Sequence, residues 1–368
     1  MPTLKGRIVT PRQVIPGAIT FSERITSIEP GAGADCWIVP GFIDLQLNGS
    51  AGHDLMAGTP EAVEGTAAYH LPHGTTAFLP TLISHPPAAL RQGVRAVVEA
   101  RQRASTPVRL LGLHIEGPFL NPVRRGAHEP SYLLPPSTAL MQELLDLGPV
   151  RLVTLAPELP GALELVRLLR RRGVIVSLGH SDANLEQTRA AIDAGVTMLT
   201  HFYNGMRGLH HRDPGPVGAG LTDDRLFLGL IPDLVHVHPV ALLAAYRAAG
   251  PERICAVTDA VSPAGLPDGT YPMGPLQVQV RGNQFRLPDG TLAGSALTLD
   301  QAVRNLVYLG LPLPHAVQLV TLNPARAIGA DGELGSLEIG KLADLVVLDN
   351  HLTVQQVIIG GQVAWHAG

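Results

Sequence analysis

Long apolar runs recur through the middle of the chain, and stretches with helix signals separate most of them. The runs are rich in Leu and β-branched residues and do not alternate with polar residues, which is typical of parallel strands covered on both faces. One intervening stretch begins with Thr59 and Pro60, and another begins at Asn184 and stops at Gly195, as helices commonly do. We predict eight strands, over residues 37–47, 75–83, 108–117, 151–158, 174–180, 198–204, 226–233 and 254–260.

Eight strands that alternate with helices over about 250 residues predict an α/β fold, a (β/α)8 TIM-like barrel. A doubly wound sheet is the alternative, but no Gly-x-Gly-x-x-Gly motif follows the first strand. From about residue 271 to 295 the pattern changes to short strands and turns. We expect a hairpin excursion there, before a last barrel helix over about 298–309.

Both ends of the chain show a different pattern from the middle. Short segments with alternating hydrophobic and polar residues are punctuated by Gly and Pro, which indicates strands and tight turns. Neither end carries enough apolar surface to fold alone. We therefore predict one small β-sandwich domain built from residues 1–40 and 333–368, with the barrel over 41–332.

Composition excludes several classes of protein. The chain has 368 residues, 45% of them hydrophobic and 16% charged, which indicates a folded rather than a disordered chain. Its 27 basic and 31 acidic residues give a net charge of −4, so we expect no nucleic acid and no membrane as partner. Two distant cysteines, Cys36 and Cys255, exclude a disulfide framework and a Cys-based zinc knuckle. No apolar run approaches ~18 residues and the N-terminus lacks a signal-peptide pattern, so we expect a cytoplasmic protein.

Polar residues suited to metal binding stand at the ends of several predicted strands. Glu116 ends the third strand, His180 ends the fifth and His201 lies in the sixth. Taken singly, each can be a turn residue or a loop cap, but in a barrel all three ends meet at one rim. One carboxylate and two imidazoles suit zinc or iron and leave a coordination position open for water. The sequence therefore predicts one divalent metal held by these three residues.

Asp259, at the end of the eighth strand, is the candidate acid–base group. A divalent metal lowers the pKa of its bound water toward neutrality, which makes that water the nucleophile. A carboxylate that is not itself a ligand can take the proton and later hand it to a leaving group. The alternative role for Asp259 is to orient a ligand histidine.

Seven motifs carry a family resemblance. In chain order they are PGFIDLQLNG (40–49), LHIEGPFLN (113–121), RRGAHEP (124–130), GHSDA (179–183), HFYNGM (201–206), VTDAVSPAG (257–265) and LAGSALTL (292–299). The first motif resembles the opening strand of barrels in the amidohydrolase superfamily. The set as a whole resembles the N-acetylglucosamine-6-phosphate deacetylase family, over residues 38–345.

The resemblance implies hydrolysis of the acetamide of N-acetylglucosamine 6-phosphate to glucosamine 6-phosphate and acetate, in amino-sugar catabolism or cell-wall recycling. The resemblance also implies that Glu116, His180 and His201 hold the metal and that Asp259 is the acid–base group. His128 would polarise the acetyl carbonyl or bind substrate, and Asn204 with the Gly205 backbone would cradle the phosphate. His236 would bind a sugar hydroxyl or the phosphate. Arg212 would reach the phosphate in the neighbouring subunit, which implies a homodimer.

Some positions depart from the superfamily pattern. Many members carry His-x-His on the first strand for a second metal, whereas this chain has Gln46 and Asn48. Amides are weak ligands, so we expect one metal per subunit, with zinc as the leading candidate and iron, cobalt and manganese as alternatives. Pro232 and Leu234 stand where relatives commonly have small residues, typically Ala and Gly, and Gly205 replaces the commoner Ala. We expect these changes to affect the fit around the sugar.

Two other functions stay open from the sequence. The first is another mononuclear amidohydrolase, such as a deacetylase for the galactosamine epimer. The second is a non-catalytic barrel that binds sugar phosphates, although such a protein would be expected to have lost a ligand or the base.

Overall fold

A computed structural model describes residues 1–368 and contains the predicted barrel. Its eight strands follow each other around the barrel in chain order, and every neighbouring pair is parallel. The barrel strands are Phe42–Leu47, Thr75–Ile83, Leu113–Glu116, Val150–Leu155, Ile175–Leu178, Val196–Leu199, Phe227–Leu230 and Ile254–Ala256. They are buried almost throughout, because helices cover the outer face and side chains fill the inside.

Helices separate the barrel strands and pack on their outer face. The helices are Pro60–His70, Pro87–Arg103, Thr138–Leu147, Ala162–Arg171, Leu185–Ala194, Gly215–Thr222, Pro239–Ala249, Leu299–Tyr308, Leu313–Val320 and Leu322–Ala327. The Thr59 side chain caps the first helix, and Asn184 forms a reciprocal capping box with Gln187. None of the helices combines the length and apolar character needed to cross a membrane.

The predicted first strand, 37–47, is two strands in different sheets. Trp37–Pro40 joins the sheet of the chain ends, and Phe42–Leu47 begins the barrel. Gly41 lies between them and packs so closely on Thr76 that a Cβ atom would stand 2.1 Å from the threonine hydroxyl. Only glycine allows this approach, so the chain can pass directly from one sheet to the other.

The two ends of the chain form one mixed sheet with its own core. Its strands are Thr3–Val9, Val14–Phe21, Ile25–Pro30, Trp37–Pro40, Leu345–Leu348, Val354–Ile359 and Gln362–His366. Trp37–Pro40 pairs antiparallel with Leu345–Leu348, which joins the N-terminal and C-terminal parts. Ile8, Ile19 and Ile358 belong to one buried cluster although they come from both ends of the sheet, so the sheet folds over itself as a small sandwich.

The predicted excursion after the eighth strand is a three-stranded antiparallel sheet. It consists of Gly269–Met273, Leu276–Arg281 and Gln284–Arg286. Met273, in the first of these strands, and the segment 291–294, which follows the sheet, contribute to the cavity at the C-terminal rim of the barrel. The excursion therefore forms part of the wall of the candidate site.

Candidate metal and catalytic site

A cavity of about 260 Å³ opens at the C-terminal ends of the barrel strands. Nine of the eleven residues predicted for the site line it: Asn48, Glu116, His128, His180, His201, Asn204, Gly205, His236 and Asp259. Gln46 lies immediately beneath the cavity, where it contacts Glu116 and Asp259. Arg212 is exposed and lies outside the cavity of its own chain.

Three side chains from three strands meet at one point on the cavity floor. Oε1 of Glu116 lies 3.1 Å from Nε2 of His180 and 3.0 Å from Nε2 of His201. The two Nε2 atoms are 2.9 Å apart. This is the only group of three or more His, Cys, Asp or Glu residues in the chain that is close enough to share a metal ion.

The other nitrogen of each imidazole fixes which atom faces the centre. Nδ1 of His180 lies 2.8 Å from the Arg124 carbonyl oxygen, and Nδ1 of His201 lies 3.0 Å from the Asn204 carbonyl oxygen. A carbonyl oxygen only accepts, so each Nδ1 carries the hydrogen and each Nε2 is left with a lone pair. Two nitrogen lone pairs and a carboxylate oxygen within about 3 Å repel one another unless a cation lies between them, so the donor set fits a divalent metal.

The charges at this point attract a cation. Burial disfavours charge on Glu116 and His201 and is the largest single influence on each. A ring that takes up a second proton, on Nε2, donates it to Glu116, and this charged hydrogen bond outweighs burial: it holds the pKa of Glu116 well below its usual value and raises the pKa of His201. Glu116 is therefore ionised and partly balances the charge of any metal bound there.

Three of the residues predicted for the site have an unusual backbone. His180, His201 and Asp259 have φ values of +47°, +32° and +50°, in the left-handed region that residues other than glycine rarely adopt. Each stands just past the end of a regular strand, so the predicted strands 174–180, 198–204 and 254–260 extend too far. Such strained positions persist where the surrounding structure fixes them, and they are typical of functional sites.

Asp259 lies beside the three-residue group without belonging to it. Its Oδ1 accepts hydrogen bonds from Nδ2 of Asn48 at 2.8 Å and from Nε2 of Gln46 at 3.1 Å. Burial, reinforced by the negative charge of Glu116, raises the pKa of Asp259 to about 6. A carboxylate with a pKa near the working pH is well suited to take up and release a proton.

Gln46 and Asn48 present hydrogens to the site. Nε2 of Gln46 donates to Oε2 of Glu116 at 3.1 Å as well as to Asp259. An amide NH2 group has no lone pair available for a metal, so neither group in this orientation is a ligand. The Gln46 amide supplies partial positive charge between Glu116 and Asp259, and the Asn48 amide supplies it to Asp259 alone.

Two further histidines have one ring nitrogen fixed and the other directed to the cavity side. Nδ1 of His128 lies 2.9 Å from the Ser84 hydroxyl, and Nδ1 of His236 lies 2.7 Å from Oδ2 of Asp233. Burial, with a smaller contribution from the neighbouring His180, lowers the pKa of His128 to about 3. His128 is therefore neutral at ordinary pH.

Asn204 and Gly205 form a turn directly after His201. The side-chain amide nitrogen of Asn204, Nδ2, is buried and has no hydrogen-bond partner within the chain, although the residue lines the cavity. Gly205 has φ +59°, and a Cβ atom there would stand 2.9 Å from Nδ1 of His180. Both the backbone conformation and the close approach to His180 therefore favour glycine at this position.

Arg212 lies on an exposed loop away from these residues. One of its guanidinium nitrogens, Nη1, is 2.7 Å from Nε2 of His211 in the same loop. The structure of the single chain therefore does not bring Arg212 to the cavity.

Sequence reasoning overlooked several residues of the site. Ser84 and Asp233, which orient His128 and His236, belong to no motif used in the prediction. The spacing of Asp233 and His236, three residues apart in a loop, was the available signal for that pair. Met56, Ile83 and Met273 form apolar wall and carry no chemical signal in the sequence.

The chain matches the Amidohydrolase family model over residues 37–364, and it belongs to that family. It is 43% identical to N-acetylgalactosamine-6-phosphate deacetylase of Escherichia coli, over 89% of this chain and 87% of the relative. It is 38% identical to N-acetylglucosamine-6-phosphate deacetylase of Homo sapiens, over 98% of this chain and 90% of the relative.

Solved structures show the same fold along the whole chain. N-acetylglucosamine-6-phosphate deacetylase of Thermotoga maritima superimposes with a TM-score of 0.94 at 33% identity and covers 100% of both chains. An aspartate-to-alanine mutant of the Mycobacterium smegmatis deacetylase, in complex with N-acetyl-D-glucosamine-6-phosphate, gives a TM-score of 0.93 at 35% identity over 98% of both chains.

Proposed function

We propose that the chain hydrolyses the acetamide of N-acetylglucosamine 6-phosphate, giving glucosamine 6-phosphate and acetate. The observation that carries the proposal is that Glu116, His180 and His201 meet at one point. The carboxylate of Asp259 lies beside this group without belonging to it. The relatives that bear the corresponding enzyme name match nearly the whole chain, which supports the choice of substrate.

Glu116, His180 and His201 would hold one divalent metal ion. When bound, such an ion acts as a Lewis acid that makes water nucleophilic at neutral pH and polarises a carbonyl group. One carboxylate and two imidazoles with an open position form a donor set of catalytic zinc sites, so Zn²⁺ is the ion that we propose. Iron, cobalt and manganese accept the same donors.

Asp259 moves the proton in this proposal. Its carboxylate takes a proton from the attacking water and later delivers it to the nitrogen of the departing amine. The raised pKa of about 6 serves both steps, because the group is ionised at neutral pH and is still a stronger base than an exposed aspartate. Gln46 and Asn48 hold the carboxylate in place through its Oδ1 atom.

His128 stabilises the negative charge that develops on the acetyl oxygen. If the Ser84 hydroxyl donates to Nδ1, the neutral ring carries its only hydrogen on Nε2 and can donate it to that oxygen. A donor fixed before reaction acts without having to reorganise, which is the usual source of oxyanion stabilisation in enzymes.

The phosphate would be bound by donors around the turn after His201 and by a second copy of the chain. The side-chain nitrogen Nδ2 of Asn204 is buried without a hydrogen-bond partner, which supports a role for Asn204 in binding substrate. Arg212 is exposed outside its own cavity, and the apolar side chain of Leu209 on the same loop is 58% exposed. Both features support a homodimer in which this loop reaches the neighbouring site, where a guanidinium suits a phosphate.

The direct test is acetate release from two epimeric substrates. We expect metal-loaded protein to release acetate from N-acetylglucosamine 6-phosphate faster than from the galactosamine epimer, and to lose this activity after chelation. The epimer is included because one relative at 43% identity is named for it. Faster release from the epimer would assign the chain to that substrate, and no release from either by metal-loaded protein would refute the proposal.

A further inference from the structure

The barrel closes between its eighth and first strands through a small number of hydrogen bonds. The backbone contributes Asp259 N–H to Gln46 oxygen at 2.9 Å and Asn48 N–H to Ala260 oxygen at 2.8 Å. The regular pairing of the barrel sheet ends at these two strands, and no ladder joins them to each other. The catalytic carboxylate thus projects from the seam at which the regular pairing of the barrel strands ends.

A buried carboxyl group lies across this seam. Asp44, on the first strand, is fully buried beneath Gln46. Its Oδ1 accepts the backbone N–H of Gln46 at 3.1 Å and the backbone N–H of Thr258 at 3.3 Å. Its Oδ2 accepts the hydroxyl of Thr258 at 2.6 Å.

Thr258 is in turn bonded through all of its polar groups. Besides its bonds to Asp44, its hydroxyl oxygen accepts the N–H of Ala260 at 3.2 Å, and its carbonyl oxygen accepts the hydroxyl of Ser295 at 2.5 Å. The next residue, Asp259, has the left-handed φ of +50°. A residue other than glycine stays in that conformation only where its neighbours fix it.

Asp44 therefore holds both backbones that determine where Asp259 points. On one side it fixes Thr258, which precedes Asp259, and on the other it fixes Gln46, whose amide donates to the Asp259 carboxylate. We propose, on the basis of the function proposed above, that Asp44 is a positioning residue that aims the carboxylate of Asp259 through Thr258 and Gln46. It does not line the cavity and does not touch substrate.

A carboxyl group is a costly choice for this place in the core. Burial raises the pKa of Asp44 to about 7, which means that the surroundings disfavour its charge. An apolar side chain of similar volume would fill the space without that penalty. The benefit of the carboxyl lies in its geometry, since two acceptor oxygens can hold donors from two strands at once.

The test uses a matched pair of variants at Thr258. Thr258→Val keeps the shape and removes the hydroxyl that Asp44 accepts, whereas Thr258→Ser keeps the hydroxyl and removes only a methyl group. We expect kcat for acetate release to fall at least about tenfold in Thr258→Val, because small misplacement of a catalytic group is costly. KM and metal per chain should stay at the wild-type values, and Thr258→Ser should stay within about threefold of wild-type kcat.

Asp44→Asn provides an independent arm that keeps the size of the side chain. Its kcat should also fall at unchanged KM, and the double variant with Thr258→Val should be no slower than the slower single variant, because both changes disrupt the contact between Asp44 and the Thr258 hydroxyl. Wild-type kcat in Thr258→Val or in Asp44→Asn, with only a lower melting temperature, would overturn the inference. Loss of metal in parallel with kcat would also overturn it, since the contact would then serve the metal site.

The failure of this inference differs from a failure of the proposed function. If wild-type protein and Thr258→Ser release no acetate, the proposed function is wrong. If they release acetate and Thr258→Val matches them, the function stands and only the positioning role of Asp44 is refuted.

Discussion

Asn48 donates a hydrogen bond from Nδ2 to Oδ1 of Asp259 over 2.8 Å. Gln46 donates to the same oxygen, so the carboxylate is held by two neutral donors at the place where a His-x-His pair would offer metal ligands. Neutral donors stabilise the ionised carboxylate less than a cation does. Asp259 thus keeps a pKa high enough for it to act as a base, and the structure brings together one group of side chains that suits a metal ion.

Asn48→Ala should shift the acid limb of the kcat profile to higher pH. The Asn48 hydrogen bond lowers the pKa of Asp259, so its loss raises that pKa above the value of about 6. Asp259 must be ionised to accept a proton, and kcat should therefore fall more at pH 6 than at pH 8. Ser50→Ala is the control, because the buried Ser50 hydroxyl has no partner and does not contact Asp259. An equal loss at every pH would contradict this prediction.

Glu116→Gln should lose metal affinity while keeping the fold. The substitution preserves the shape of the side chain and removes the charge that offsets the cation, so metal per chain should fall well below one. In wild-type protein, metal at a thousandfold excess over Kd should add about 4 kcal/mol to the free energy of unfolding, and this gain should vanish in the variant. Glu252→Gln, the same change at an exposed position outside the cavity, is the control. A variant that binds one metal as tightly as wild type would exclude Glu116 as a ligand.

His128→Gln should lower kcat by about 10²-fold or more, as removal of a preorganised oxyanion donor does. A histidine whose pKa is lowered to about 3 is neutral at every pH above about 4, so protonation of His128 does not shape the profile. The loss should be the same factor from pH 5.5 to 8.5. His85→Gln is the matched control, since His85 does not line the main cavity. A loss confined to one side of the pH range would show that His128 acts as a titrating group.

Arg212→Ala should weaken phosphorylated substrates far more than unphosphorylated ones. If Arg212 acts on the neighbouring site, equimolar mixing of Arg212→Ala with Asp259→Asn subunits should restore about a quarter of wild-type activity, because half of the random dimers then contain one complete site. Neither variant alone should show that activity. Mixtures that stay inactive after verified subunit exchange would contradict a contact between subunits.

The strand and helix order of the barrel could be predicted because it depends on local patterns. Runs such as 75–83 and 226–233 are largely apolar, so their own sequence predicts that they are buried. Capping residues such as Thr59 mark the starts of helices. The ends of the strands could not be predicted equally well. His180, His201 and Asp259 directly follow apolar runs that form strands, and nothing in those runs indicates the left-handed backbone that the three residues adopt.

The candidate metal ligands could be predicted because strand ends of a barrel converge by topology. The partners that orient the site could not, because their contacts join distant parts of the chain. Asp44 and Thr258 are 214 residues apart, and His128 and Ser84 are 44 residues apart. Ser84 lies in no motif, and although Asp44 belongs to the motif over 40–49, nothing in that motif indicates that its carboxyl group bonds to Thr258.

The most direct test of the proposed site measures acetate release and metal content in Asp259→Asn. The variant keeps the size of the side chain and leaves Glu116, His180 and His201 in place. We predict one metal per chain, as in wild type, with turnover of N-acetylglucosamine 6-phosphate lower by about 10³-fold, in the range typical for loss of a general acid–base group. Undiminished turnover at full metal content would contradict the assignment of Asp259 and the mechanism built on it.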